Sequence, residues 1–206
     1  MNISLQNIGR RFNREWIFRG IDYSFADRES YAILGANGSG KSTLLQVLNG
    51  SLAPSAGDLA YTYNDKPVDA ENVFTYLSLA APYLELIEDF SLSEIIDFHF
   101  KFKNYKPGLD KTSVADTLGL AGSRNKLVKY FSSGMKQRLK LVLAFCSDTP
   151  MLMLDEPTSN LDTQGIDWYL GLIEQYSANR LTIICSNQEH EYSFCKNKLS
   201  IADYKT

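Results

Sequence analysis

The sequence predicts an α/β fold built on a largely parallel central sheet. Three observations carry that reading. Strand-like and helix-like segments alternate along the chain, the pattern of strands joined by helical crossovers. Residues 151–154 form a continuous apolar run, as a parallel strand covered on both faces requires. Residues 30–34, a short apolar run, meet a glycine-rich turn that opens into a helical segment.

Each element follows from local pattern. Residues 2–8 alternate apolar and polar side chains, and 16–25 are rich in aromatics and Ile, both strand signals. Residues 42–48 read as a helix closed by Asn49-Gly50. Residues 59–63 and 73–77 are further strand candidates. The stretch 91–117 reads as helical, opened by Ser91 at the N-cap with Glu94 three residues on, and broken by Pro107-Gly108. In 133–146 the apolar residues Met135, Leu139, Val142, Leu143 and Cys146 share one helical face. A helix over 163–176 and strands over 181–186 and 199–202 complete the chain. The helical middle reads as an insertion into the sheet.

Composition bounds the function. The 206 residues suffice for one domain, or one domain with an inserted lobe. A hydrophobic share of 44% and a charged share of 22% fit a globular protein and exclude a disordered or fibrous chain. The formal charge of −3 gives no general attraction to nucleic acid or an anionic membrane. No run approaches the ~20 apolar residues needed to cross a bilayer. The first residues lack the apolar core of a signal peptide. Three cysteines without a CxxC spacing indicate neither a disulfide framework nor a zinc site.

The chemistry begins at Gly35-Ala36-Asn37-Gly38-Ser39-Gly40-Lys41-Ser42, with Thr43 next in the cradle. This is a GxxxxGK[ST] loop between a strand and a helix, the context in which such a loop binds phosphate. Its glycines let successive N–H groups turn inward toward phosphate oxygens, and the helix start adds its positive dipole end. Lys41 is placed for the β- and γ-phosphates and Ser42 for Mg²⁺. The apolar run 151–154 then ends in Asp155 and Glu156. Asp155 stands where a Mg²⁺-supporting carboxylate belongs. Glu156 is placed to polarise an attacking water, because neighbouring side chains leave a strand end in different directions.

Together with these, Phe131-Ser132-Ser133-Gly134-Met135-Lys136-Gln137-Arg138 resembles the LSGGQ signature of ATP-binding-cassette (ABC) proteins, and Ser159-Asn160-Leu161-Asp162 resembles their D-loop. The order of all four motifs identifies the chain as a member of that family, close to its small exporter-type ATPases. The resemblance covers nearly all of residues 1–206 as one nucleotide-binding domain. It implies a P-loop NTPase cassette with an N-terminal antiparallel β-subdomain and a helical subdomain inserted at about 82–140. It further implies ATP and Mg²⁺ as cofactors and head-to-tail packing of two such domains, as a homodimer or a heterodimer. Ser132 and Gly134 of one domain would meet the ATP held by the other. Phe12 lies where the family carries an aromatic that stacks on adenine; Trp16 is a nearby alternative, and packing within the sheet is the rival reading of either ring.

Three positions depart from the family pattern. No glutamine follows the strand expected at 73–77, where Ala80 or a neighbour takes the place of the Q-loop residue. Asn187 stands in for the switch histidine and cannot carry a proton at neutral pH. His190, three residues on, reads as a helix-surface residue rather than a displaced switch. In the signature, Ser133 and Met135 replace a glycine and the glutamine.

The resemblance therefore implies an ATPase subunit that hydrolyses slowly, with Glu156, Lys41 and Asn187 in the catalytic roles. It would drive a separate integral-membrane transporter subunit from the cytoplasmic face of the membrane. Glu85, Glu88 and Asp89 form an expected acidic docking surface for that partner, or else a solvated helix face. The alternatives are a regulatory subunit and a soluble ATPase acting on ribosomes or nucleic acid. The basic clusters at Arg10, Arg11 and Arg14 and at 124–140 are interrupted by apolar residues, so no nucleic-acid partner is expected.

Overall fold

The computed structural model describes residues 1–205, Ala121 by its backbone alone; Thr206 lies outside the described residues. The chain opens with a hairpin of β1 (Asn2–Phe12) and β2 (Glu15–Phe25). Asn13 in its two-residue connection takes a φ of 54°, a left-handed backbone that Asn tolerates because its side chain bonds locally. β3 (Ser30–Leu34) then runs through the glycine-rich loop into α1 (Lys41–Leu48). The chain returns to the first sheet as β4 (Ala56–Tyr63), paired antiparallel with β1, and β5 (Lys66–Val68). Asn64 and Asp65 join β4 to β5 at φ values of 49° and 60°. Two successive positive φ values give the turn whose twist matches a hairpin.

The strand expected over 73–77 is not there. Ala70–Tyr76 forms a 3₁₀ helix and β6 (Leu77–Ala80) starts only at its end. Val73 is buried but its neighbour Phe74 is 61% exposed, so the run lacks the two covered faces a central strand needs. The helical lobe follows as α2 (Leu92–His99), α3 (Lys111–Thr117) and α4 (Ser133–Cys146). Ser91 caps α2 through the Glu94 amide while the Glu94 carboxylate takes the Ser91 N–H at 2.8 Å, the reciprocal box legible in the sequence. β7 (Met151–Asp155), α5 (Thr163–Tyr176), β8 (Leu181–Cys185), α6 (Glu189–Tyr192) and β9 (Asn197–Ser200) close the chain. No helix of the described residues is long and apolar enough to cross a membrane.

The two sheets differ in kind. One is antiparallel, in the order β2-β1-β4-β5; the other is parallel, in the order β6-β7-β8-β3-β9. Strand period places alternate residues of the parallel sheet in two cores. Leu152, Leu154, Ile184 and Ala32 face the helical lobe and α5. Met151, Met153, Ile183 and Ile33 face α1 and the antiparallel sheet. Both faces are covered, which explains the unbroken apolar run 151–154. The carboxyl ends of β3, β7 and β8 meet at one edge, where open α/β sheets bind ligands.

Within the helical lobe, burial pushes the His99 imidazole down from 6.5 to about 4, with Lys103 adding repulsion. Its Nε2 lies 2.9 Å from the Ser147 hydroxyl. Below pH 6.5 the unfolded chain takes up this proton and the folded chain does not until about pH 4. Stability is therefore complete above that window and falls as the pH drops through it, by at most about 3 kcal/mol from this group. Urea unfolding at stepped pH is expected to show that loss in the native chain, and a flatter profile between pH 6.5 and 4 in His99→Gln.

Candidate functional site

The glycine-rich loop needs its residue types. Gly40 ends it at a φ of 104°, where a Cβ would sit 2.4 Å from Ile17 Cγ2, so only glycine enters α1 this way. No side chain caps α1, which leaves its first N–H groups facing the loop. Lys41 is 4% exposed, and its ammonium donates to the carbonyls of Gly35 at 2.8 Å and Ala36 at 3.2 Å. A buried ammonium held by neutral carbonyls is ready for the stronger acceptors of a phosphate.

Asp155 ends β7 at 1% exposure, and its Oδ1 has no hydrogen-bond partner among the described residues. Burial raises its carboxyl above the ordinary range, against the lowering effect of the neighbouring Ser42 hydroxyl. A buried, unpartnered carboxylate oxygen beside a hydroxyl fits a hard divalent cation such as Mg²⁺, which takes one or two protein oxygens and completes its shell with water and phosphate. Glu156 follows at a φ of 42°, left-handed and uncommon for this residue. Its N–H donates to the Cys185 carbonyl at 2.9 Å, which fixes the strand end in this turn. The Glu156 side chain faces a cavity that also receives Asn37, Thr158, Asn187 and His190. The Asn187 amide donates to Asn37 Oδ1 at 2.7 Å, joining the segment after β8 to the phosphate loop. Glycine loop, Asp155, Glu156 and Asn187 thus converge at one sheet edge.

Other expected site residues lie outside that cavity. Ser132 is the N-cap of α4, its Oγ accepting from the Met135 N–H at 3.2 Å, as the sequence predicts. A Cβ on Gly134 would come 3.0 Å from the Asn160 carbonyl, so this glycine lets the signature turn lie against residues 159–162 of its own chain. Phe12 is 46% exposed, with the Arg10 guanidinium 4.6 Å from its ring centroid. Trp16 is flanked by Arg11 and Arg19 and packs on Gly9. That leaves Phe12 the more open of the two rings.

Several expectations need correction. Ala80 is buried at the end of β6 and offers no side chain to a metal. In the segment after β6, Tyr83 is 40% exposed, and its phenol is raised above the usual range by burial, with the Asp155 charge second. His190 is not a free surface residue: its Nε2 lies 3.0 Å from the Thr158 hydroxyl. Residues 81–90 form no helix, and two of the three acids expected there are paired. Glu88 meets Lys136 at 2.5 Å and Asp89 meets Lys129 at 3.0 Å, while Lys140 donates to the carbonyls of Ala81 and Pro82.

The sequence reading also missed Glu191, which lines the cavity and is 1% exposed. Its Oε1 accepts from the Thr158 N–H at 2.7 Å and from the Thr158 hydroxyl, and its Oε2 from the Ser186 hydroxyl. No local signal distinguishes it from the exposed Glu189 two residues earlier; only tertiary closure does.

Comparison with known proteins agrees with this geometry. The sequence pattern of the family described as ABC transporter matches residues 18–159. The chain is 31% identical over 166 residues to the Nod factor export ATP-binding protein I of Burkholderia orbicola, covering 79% of this chain and 55% of that protein. It is 26% identical over 208 residues to the linearmycin resistance ATP-binding protein LnrL of Bacillus subtilis, covering 98% of this chain and 66% of that protein. It thus spans less than two thirds of either relative. In fold it superposes with a TM-score of 0.82 on an ABC transporter ATP-binding protein from Pyrococcus furiosus, at 19% identity and full coverage of both chains. A bacterial Atm1-family ABC exporter with ATP bound gives 0.81 at 19% identity, covering 97% of this chain and 37% of that one. With the pattern spanning most of the chain and the phosphate loop, Asp155 and Glu156 in place, the chain belongs to the ABC transporter family and carries its ATP-binding domain.

Proposed function

We propose that this chain is the ATP-hydrolysing subunit of an ABC transporter, coupled to a separate membrane-spanning partner at the cytoplasmic face of the membrane. The observation that supports it most is the convergence of Asn37, Glu156 and Asn187 on one cavity, with Lys41 and Asp155 buried close by. Lys41 and the inward N–H groups of residues 35–43 bind the β- and γ-phosphates. Ser42 and Asp155 would hold Mg²⁺, which when bound neutralises phosphate charge. Glu156 accepts hydrogen bonds from the attacking water and draws off its proton. Phe12 offers an open ring face to adenine. Asn187 hydrogen-bonds but does not titrate, and its amide is engaged by Asn37, so hydrolysis is slow. Ser132 and Gly134 of one domain close over the ATP of a second, and ATP binding holds the pair together.

The partner surface is a largely apolar groove that includes one of the expected acids. Leu86, Ile87, Phe98, His99 and Phe102 line it beside α2 together with Glu85 and Lys103, with Phe102 72% exposed and Phe98 38%. Exposed aromatics around an apolar trough suit an amphipathic helix of the membrane subunit. Purification from detergent-solubilised membranes is expected to recover a multi-spanning protein with the native chain. Phe102→Glu is expected to lose it while retaining its own melting temperature. Undiminished recovery with Phe102→Glu sinks the groove assignment, and a native chain that brings down no membrane protein counts against the transporter reading.

A further inference from the structure

His190 lies on α6, a helix of four residues directly after the segment that carries Asn187. It is half-buried and lines the same cavity as Glu156. Its ring Nε2 lies 3.0 Å from Thr158 Oγ1. The direction of that bond follows from the neighbours. The Thr158 hydroxyl donates to Glu191 Oε1, which uses its single hydrogen. Thr158 Oγ1 is therefore the acceptor from His190, and Nε2 carries the proton.

Thr158 occupies a critical place. Its carbonyl accepts from the Leu161 N–H at 3.0 Å, and the Glu156 carbonyl accepts from the Ser159 N–H at 3.0 Å. These two bonds fold residues 156–161 into one continuous turn, with Glu156 held at its left-handed φ of 42°. From the α4 side, the Gln137 amide donates to the Pro157 carbonyl at 2.8 Å. From the other side the turn is held by Glu191, buried, and by His190 at the rim of the cavity. Asn187 donates instead to Asn37, on the side of the phosphate loop.

We infer that His190 is a positioning residue, whose Nε2–H fixes the Thr158 hydroxyl and thereby the turn that carries Glu156 and leads into residues 159–162. The inference rests on the hydrolytic reading only for its kinetic consequence; the structural link stands on the hydrogen bonds alone. His190 thus ties the segment after β8 to the segment after β7, through one hydroxyl that both His190 and Glu191 grip.

Amide hydrogen exchange tests the link without any need for turnover. The amides of Thr158, Ser159 and Leu161 are followed in the native chain, in His190→Ala and in His190→Gln. Exchange is expected to rise about fivefold to tenfold in His190→Ala, the order of one hydrogen bond lost. It is expected to return most of the way in His190→Gln, whose amide keeps a donor near the place of Nε2. The amides of β7 should not change, which separates loss of this link from general unfolding. In the ATPase assay kcat should fall about fivefold to tenfold in His190→Ala with KM within about twofold, since the substrate contacts remain. Native exchange rates in His190→Ala overturn the inference, as does a Gln variant no better protected than Ala. A native chain without turnover would sink the hydrolytic reading and leave the exchange result to decide this one.

Discussion

Replacing Glu156 by Gln is expected to lower ATP turnover by about 100-fold or more while leaving ATP affinity nearly unchanged. The two side chains match in shape, so the left-handed turn at φ 42° and the bond from its N–H to Cys185 persist. What changes is the group that faces the cavity shared with Asn37 and Asn187. A carboxylate accepts hydrogen bonds from the attacking water on both oxygens and takes up its proton; an amide accepts on one and takes up none. Phosphate contacts reside in Lys41 and the loop N–H groups, which the substitution leaves alone. A drop confined to kcat is the signature of an interaction made in the transition state. Steady-state phosphate release measured beside nucleotide affinity checks it. Turnover within about threefold of the native chain would move the water-activating role to another residue, and His190 and Glu191 are titratable side chains that line the same cavity. Because ATP binding survives and release by hydrolysis does not, the variant is also expected to accumulate as an ATP-dependent dimer, visible by size-exclusion chromatography.

What was legible in the sequence divides by range. The strand-loop-helix setting of the phosphate loop and the strand end at Asp155 could be read directly, because each is set by a few contiguous residues. The caps at Ser91 and Ser132 were legible for the same reason, α4 has the bounds its apolar periodicity gives, and α5 spans the expected 163–176. The strand expected at 73–77 failed because apolar residues alone do not distinguish a strand from a 3₁₀ turn with one buried side chain. β5 went unpredicted, since Asn64-Asp65 is a weaker hairpin signal than Asn-Gly. His190 and Glu191 escaped for a different reason. Each acquires its role from a residue far away in the chain, Thr158. Glu88 and Asp89 carry the same lesson, since their partners Lys136 and Lys129 come from the far end of the helical lobe. Net charge and local charge runs count such residues but do not pair them.

Glu191 brings that long-range dependence to its largest expected cost. Its carboxylate is buried and serves three donors, the Thr158 N–H, the Thr158 hydroxyl and the Ser186 hydroxyl. Its own carbonyl receives the Tyr169 hydroxyl at 2.8 Å, which anchors α6 to α5 from beneath. Glu191→Ala removes the acceptor and leaves those donors buried without partners. Deleting one member of such a network costs more than the bonds themselves contribute, because the stranded groups keep their desolvation penalty. The expected loss is about 3 kcal/mol of unfolding free energy, measured by urea denaturation. Glu191→Gln keeps one acceptor oxygen and the side chain's volume, so its loss should be about half as large. The consequence reaches the site, since Thr158 and Ser186 stand directly before residues 159–162 and Asn187. Freed from Glu191, both segments lose their fixed separation, and turnover should fall in Glu191→Ala even at temperatures where the chain stays folded. Full turnover in a folded Glu191→Ala chain would show that this carboxylate supports the fold alone and leaves the cavity geometry untouched.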